Sequence, residues 1–245
     1  MKNLIKTFLQ SVLGYDRYLR KFGWYKVKCL HCDAREQDFF FFLNMLKKDD
    51  RVLDIGANLG FLAVHMAWRV PNGEVIAFEP MPDNLSALRY VKEKARCKNI
   101  RIETCALGDH DGEAEMILPV FGKAKQQGLS HIKHDSIRDH NSGITFKVPL
   151  RKIDSLADLF TGKKIAAIKM DVENFEQFVL SGATRLLNEQ KPIVYTELWD
   201  NQNREKCFEI TARSGYQPFV HVSGKLEAYD KVRHSGKMNF FLIAE

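Results

Sequence analysis

The sequence predicts an α/β fold, a mostly parallel β-sheet with helices on both faces. Three observations predict it. Short apolar runs alternate with stretches of helical period from residue 51 to residue 196. Those runs are continuously apolar, as strands buried on both faces are, rather than alternating apolar with polar. The chain has 245 residues, of which 45% are hydrophobic and 28% charged, enough to bury the core that such a sheet needs.

The elements follow in order. Leu4, Ile5, Phe8, Leu9, Val12 and Leu13 recur at helical spacing with basic residues on the other face. This segment suits a helix packed on the domain, or one lying on a membrane surface or over a substrate. A second helix is expected over residues 35–46. Its aromatic run, Phe39, Phe40, Phe41 and Phe42, suits core packing and could also serve a homodimer. Residues 1–48 then form an N-terminal helical extension, and residues 49–245 the main domain. RVLDI (51–55) reads as the first strand, 60–70 as a helix, and Pro71-Asn72-Gly73 as its terminating turn. EVIAF (74–78) is the second strand. A helix follows over 82–95, with Pro82 and Asp83 suited to its first turn. Strands are expected at 100–105, 164–170 and 192–196, with a helix over 175–187 between the last two. A β insertion between the third and fourth strands contributes two more, at 113–118 and 144–150. The connection at 119–143 is polar, basic and rich in histidine, and a connection that long is usually functional or mobile. Residues 217–222 and 238–243 read as a closing antiparallel pair.

Net charge is +6, with basic residues gathered before residue 29 and again between 123 and 151. That excess favours anionic partners such as phosphates, acidic glycans or a membrane surface. No apolar run reaches transmembrane length. Lys6 interrupts the apolar start, and no small-residue cleavage site follows. A cytoplasmic protein is expected. Five cysteines, an odd number, do not suggest a disulfide framework. The lone Cys29-Leu30-His31-Cys32 string has no second ligand pair to complete a structural zinc site.

The chemistry-bearing string is Asp54-Ile55-Gly56-Ala57-Asn58-Leu59-Gly60, between the first strand and the first helix of the sheet. Glycine there lets the backbone turn sharply and a ligand approach closely. Open α/β sheets bind ligands at the carboxyl ends of their strands. Asp54 could meet a cationic amino group. Glu79, followed by Pro80 at the end of the second strand, is placed to accept the ribose hydroxyls of an adenosine. The dinucleotide fingerprint has a glycine where this chain has Asn58, so the backbone contact to a pyrophosphate is missing.

With these motifs the sequence resembles the FkbM-type methyltransferases over roughly residues 51–197. The matching pieces are VLDIGANLG (52–60), FEPMPDN (78–84), CALGDHDG (105–112), LRKIDSL (150–156), IKMDVENFEQFVLSGA (168–183) and PIVYTE (192–197). The resemblance implies a Rossmann-like class I methyltransferase with a mostly parallel seven-stranded sheet. It implies methyl transfer from S-adenosylmethionine to a hydroxyl oxygen of a sugar or secondary metabolite, so the expected partner is a small-molecule or glycan acceptor. One departure stands out. The family reads D-V-E-G where this chain has Asp171-Val172-Glu173-Asn174, and asparagine tolerates a left-handed backbone better than most residues.

On this reading Gly56, Ala57 and Gly60 shape the turn under the methionine part, with Asn58 and Phe61 beside it. Glu79 takes the ribose, with Pro80 and Asn84 of the same motif, and Met81 packs on the adenine. Cys105, Ala106 and Leu107 hold the adenine's other side. Asp171 and Glu173 face the reacting centre, to orient the cationic donor or act as base. His131 and His134 lie in the long connection and are further candidate bases, though both also suit solvated loop positions. Glu197, Asp200 and Asn201 with Asp171 could make an oxygen-rich magnesium site, but the resemblance itself supplies no metal. A nucleic-acid acceptor is disfavoured, because no Pro-Pro pair follows Asp171 and the basic excess is modest. Two other readings stay open: a nucleoside-binding module without catalysis, and an NAD-dependent oxidoreductase.

Overall fold

The computed structural model describes residues 2–137 and 140–244, with side chains from residue 5 onward. The Leu4 side chain, and Arg138 and Asp139 of the long connection, therefore lie outside what is described.

Three helices come first: α1 (Lys2–Leu13), α2 (Tyr15–Cys29) and α3 (Gln37–Met45). The alternating part follows with β1 (Arg51–Ile55), α4 (Phe61–Arg69), β2 (Glu74–Phe78), α5 (Pro82–Lys94) and β3 (Ile100–Glu103). The insertion comprises β4 (Ala106–Leu107), β5 (Gly112–Phe121), β6 (Ala124–Lys125), β7 (His131–Ile132) and β8 (Gly143–Arg151). The chain then returns through β9 (Ile165–Met170), α6 (Glu176–Ser181), α7 (Thr184–Gln190), β10 (Ile193–Glu197) and α8 (Gln202–Ala212). It closes with β11 (Tyr216–Val222), β12 (Lys225–Ala228) and β13 (Asn239–Ala244).

The α/β architecture is the expected one, but the sheet is mixed and has eight strands, not seven. Its order is β12-β11-β13-β10-β9-β1-β2-β3. The five strands from β10 to β3 run parallel, and β13, β11 and β12 are added antiparallel. The extra strand is β12. Ser223 (φ 49°) and Gly224 (φ 85°) reverse the chain between paired Val222 and Lys225, the two-residue turn that matches strand twist. Its sequence, KLEA, is too polar to read as a strand. The third strand ends at Glu103 rather than at residue 105, and Ala106 and Leu107 pair with β8 instead. The helix expected over 175–187 is two helices. The Gly182 carbonyl between them is taken by the Asp154 amide at 2.9 Å, and a Cβ on Gly182 would strike the Gly108 carbonyl. The insertion's long pair, β5 with β8, forms a second sheet with β4, β6 and β7.

Two helices escape the apolar periodicity. The buried side of α8 is Asn203, Arg204, Cys207 and Thr211, a polar face with no hydrophobic stripe to detect. In α2, a largely basic and aromatic helix, Gly23 interrupts the buried side formed by Tyr18, Leu19 and Val27.

Alternate strand residues feed two cores, as the period of two requires. Val52, Val75, Ala77 and Ala167 face α3, α4 and α5. Leu53, Ile76, Phe78 and Ile168 face α6, α7 and the insertion. The aromatic run on α3 turns largely inward. Phe39 and Phe42 are fully buried, and Phe42 stacks on Tyr195 at 5.2 Å. No helix among the described residues is long and apolar enough to cross a membrane. This packing leaves the carboxyl ends of β1, β2, β9 and β10 on one side of the sheet.

Candidate active site

The turn after β1 is tied down by backbone hydrogen bonds. The Gly56 and Ala57 amides both donate to the Phe78 carbonyl, at 3.1 and 3.0 Å, and the Gly60 amide donates to the Ala57 carbonyl at 2.8 Å. Gly56 has φ 75°, and a Cβ on it would run into the Asp171 carbonyl oxygen. The Asp171 amide closes the seam by donating to the Ile55 carbonyl at 3.1 Å. Gly60, at φ 79°, starts α4.

Beneath the turn, β1 and β9 place Asp54 opposite Lys169. Both side chains are buried, with Oδ1 and Nζ 3.5 Å apart, and Nζ also donates to the Gly56 carbonyl at 3.3 Å. Beyond this long contact to Lys169 neither Asp54 oxygen has a hydrogen-bond partner, and desolvation pushes this carboxyl up from its ordinary range. Lys169 is a residue that the motif reading missed. A lysine inside an apolar strand, opposite an aspartate on the neighbouring one, is the signal that could have found it.

Glu79 is buried at the end of β2. Its Oε2 accepts the Asn58 amide at 2.7 Å, and its Oε1 accepts the Met81 amide at 2.8 Å and Asn84 Nδ2 at 3.3 Å. Burial pushes its pKa up to about 7, against the lowering effect of those donors.

These residues border a cleft with about 620 Å³ of space free of protein atoms. Gly56, Asn58, Glu79, Pro80, Asn84, Cys105, Ala106, Leu107, Asp171 and Glu173, all singled out from sequence, line it together. So do Val172, Phe175 and five residues of the insertion not foreseen individually: Met116, Gln127, Gly128, Ser130 and Ile132. The other candidates sit elsewhere. Asp54 lies below the floor, Ala57 and Met81 are buried in the core, and Gly60 packs toward Leu88. Phe61 opens instead onto a second groove, with Lys26 Nζ 5.4 Å from its ring centre. His131 is buried, with its ring nitrogens 2.9 Å from the Leu129 carbonyl and 3.0 Å from Asn141 Oδ1. His134 is exposed and packs on Phe178.

The second groove, of about 1030 Å³, lies between α3, α4 and the ends of β9 and β10. Arg35, Glu36, Lys169, Tyr195 and Glu197 line it, and it shares Asp171 with the first cleft. Among the described residues, no three His, Cys, Asp or Glu side chains are placed to share a metal ion. Asp200 is ion-paired with Arg204 at 2.9 Å.

Carboxylates crowd the junction of the two spaces. Burial and the neighbouring Asp171, Glu197 and Glu176 push Glu173 up to about 9. Glu197 is also raised, chiefly by burial. Glu176, raised to about 7 by burial, holds the backbone here, accepting the Val172 amide at 3.0 Å and Asn203 Nδ2 at 2.7 Å.

A family model, the methyltransferase FkbM domain, matches residues 54–232, nearly three-quarters of the chain. The chain belongs to the FkbM methyltransferase family. The chain is 24% identical over 149 residues to "Methyltransferase 1" of Beauveria bassiana, an alignment covering 55% of this chain and 58% of that protein. It is 22% identical over 220 residues to the AMB antimetabolite synthetase AmbE of Pseudomonas aeruginosa, covering 76% of this chain but 10% of that much longer protein. It thus spans little more than half, and a tenth, of these relatives' own lengths. A crystal structure of a methyltransferase FkbM from Methylobacillus flagellatus superposes with a TM-score of 0.53 at 17% identity. That match covers 80% of this chain and 44% of the other, a likeness of fold.

Within this FkbM chain the departure from D-V-E-G has a local account. Glu173 and Asn174 both adopt the left-handed region, at φ 54° and 72°. Asn174 Oδ1 also accepts Asn201 Nδ2 at 2.7 Å, tying the turn to the start of α8. Asn174→Ala should therefore cost about 1–3 kcal/mol of stability, from the left-handed backbone and the lost hydrogen bond. Asn174→Gly should cost less. Chemical denaturation of the two variants beside the parent would test this, and equal stabilities would refute the account.

Proposed function

We propose that this chain transfers the methyl group of S-adenosylmethionine to a hydroxyl oxygen of a small-molecule or glycan acceptor, a sugar or secondary metabolite. The observation that carries the reading is the shared wall. Asp171 faces both a nucleoside-sized cleft and a separate groove, so a donor in one and an acceptor in the other would meet at its carboxylate.

The residues present fit the donor. Glu79 keeps oxygen lone pairs for ribose hydroxyls beyond its three protein donors. Cys105, Ala106, Leu107 and Phe175 offer apolar surface to an adenine. The buried Asn58 Oδ1 has no hydrogen-bond partner and lines the cleft, where it can accept from the amino group of the methionine part. When bound, S-adenosylmethionine supplies an electrophilic methyl group on a cationic sulfur.

The chain's own residues do the rest. Asp171 supplies negative charge at the junction and orients the cation. Gln127, Ser130 and Ile132 of the insertion screen the cleft from water. The acceptor hydroxyl is a poor nucleophile until it loses its proton, and Glu173 is the base proposed to take it. Holding both reactants in line is the main source of rate. A cytoplasmic setting and an acceptor other than nucleic acid belong to the same reading.

Calorimetric titration with S-adenosylhomocysteine, beside NADH, tests the donor site. Micromolar binding of the first is expected, about tenfold to a hundredfold weaker in Glu79→Ala, with no binding of NADH. Tight NADH binding would replace this reading with an oxidoreductase. Donor binding without turnover across an acceptor panel would leave a nucleoside-binding module.

A further inference from the structure

The outer face of α1 carries three well-exposed apolar side chains: Ile5 is 56% exposed, Phe8 65% and Val12 64%. Leu9 between them is also exposed, so the four form one stripe at i, i+3, i+4 and i+7. Phe121 is exposed as well, at the tip of the β5–β6 hairpin, and β6 packs against α1. Solvated helices do not normally keep such a stripe uncovered.

The charge carried by the two sequence segments that bear it is of one sign. No acidic residue occurs between Met1 and Tyr15 or between Pro119 and His134, whereas Lys2, Lys6, Lys123, Lys125 and Lys133 do. Lys123 is exposed beside Phe121. A second copy of this face would bring like charges together. An anionic lipid surface would accept both the apolar stripe and its basic margin.

We propose that α1 and the β5–β6 hairpin tip dock this protein on an anionic membrane surface. The helix is also bonded to the wall of the donor cleft. Lys6 Nζ donates to Gln126 Oε1 at 2.8 Å, and Gln10 both donates to the Lys125 carbonyl and accepts its amide, each at 3.1 Å. Gln127 and Gly128, the next residues, line the cleft. Docking therefore acts one hydrogen bond away from the segment that covers the cleft. The docking itself does not depend on what the cleft holds.

The test is co-sedimentation of the full chain with vesicles of equimolar phosphatidylglycerol and phosphatidylcholine, beside vesicles of phosphatidylcholine alone. The bound fraction should be about tenfold higher on the anionic vesicles and fall in high salt. The double variant Phe8→Glu, Val12→Glu should lose that binding about tenfold. Both side chains are exposed, so its melting temperature and S-adenosylhomocysteine affinity should stay at the parent's values. The proposal is overturned if the parent fails to sediment with anionic vesicles, or if the variant binds as well as the parent. It is also overturned if ultracentrifugation without lipid shows a dimer that the double variant dissolves, since a second copy would then cover the stripe. A failed S-adenosylhomocysteine titration beside successful sedimentation would count against the donor reading alone.

Discussion

Gly56→Ala is expected to abolish detectable S-adenosylhomocysteine binding while leaving the sheet intact. Two effects act at one atom. The residue holds φ 75°, which costs an alanine about 1–2 kcal/mol. Its new Cβ would also overlap the Asp171 carbonyl oxygen, and overpacking of this kind costs about 1–3 kcal/mol more. The turn cannot yield freely, because the Gly56 and Ala57 amides are both bonded to Phe78 and the Asp171 amide to Ile55. Relief must come from moving the turn or the end of β9, and both border the donor cleft. A loss of about 3 kcal/mol in unfolding free energy and at least a hundredfold in affinity is expected. Calorimetry and urea denaturation measure the two separately. Affinity within about twofold of the parent would show that the turn does not touch the donor.

Glu173→Gln should lower the rate of methyl transfer by about 10²–10⁴-fold, the usual span for a lost general base, with donor affinity little changed. The pH dependence makes the test sharper. Burial and its carboxylate neighbours push the Glu173 pKa up to about 9, which favours the protonated form at neutral pH, and a protonated carboxyl cannot accept a proton. A cationic sulfur beside it favours the ionised form. The rate in the parent should therefore rise with pH through an apparent pKa below 9, and the glutamine variant should lack that limb. Stability gives a second readout. A carboxyl whose folded pKa is raised favours the fold fully below its unfolded value near 4.5, and loses that contribution as pH rises through about 9. The parent and the glutamine variant should melt alike near pH 5, with the variant more stable near pH 9. A parent whose rate is flat with pH, or an active glutamine variant, would remove Glu173 from the role of base.

Much of the parallel sheet was legible because its strands are buried on both faces. RVLDI, EVIAF and IAAIKM can satisfy their apolar side chains only inside a covered sheet. The turn at Gly56 was legible from the glycines that shape it. What escaped was held by polar groups. The inner face of α8 is Asn203 and Arg204, which bond to Glu176 and to the Leu198 carbonyl, and a periodicity argument reads such a segment as surface. The strand β12 escaped because its placement depends on a turn and its hydrogen bonds, and little on burial. At the site, residues borne on strand ends were legible because topology brings strand ends together. Gln127, Ser130 and Ile132 were not, because a long insertion can fold back in many ways and its sequence does not say which side chains reach the cleft. Lys169 needed the register of β1 against β9, a property of neither strand alone.

The two outer strands of the eight-stranded sheet bear on how copies of this protein can meet. β3 and β12 are four residues long, and each carries charge of both signs: Arg101 and Glu103 on one, Lys225 and Glu227 on the other. Arg101 is ion-paired to Glu74 and Asp158, and Glu227 to Arg233. Short, charged borders of this kind resist the addition of a strand from another molecule, the commonest route to edge-to-edge aggregation. Continuous sheets across two subunits are thereby disfavoured. With Phe39 and Phe42 spent inside the core, any homodimer has to be built from helix faces or from the insertion. Crowded expression should accordingly threaten this chain less through β-pairing than through the bare stripe on its first helix.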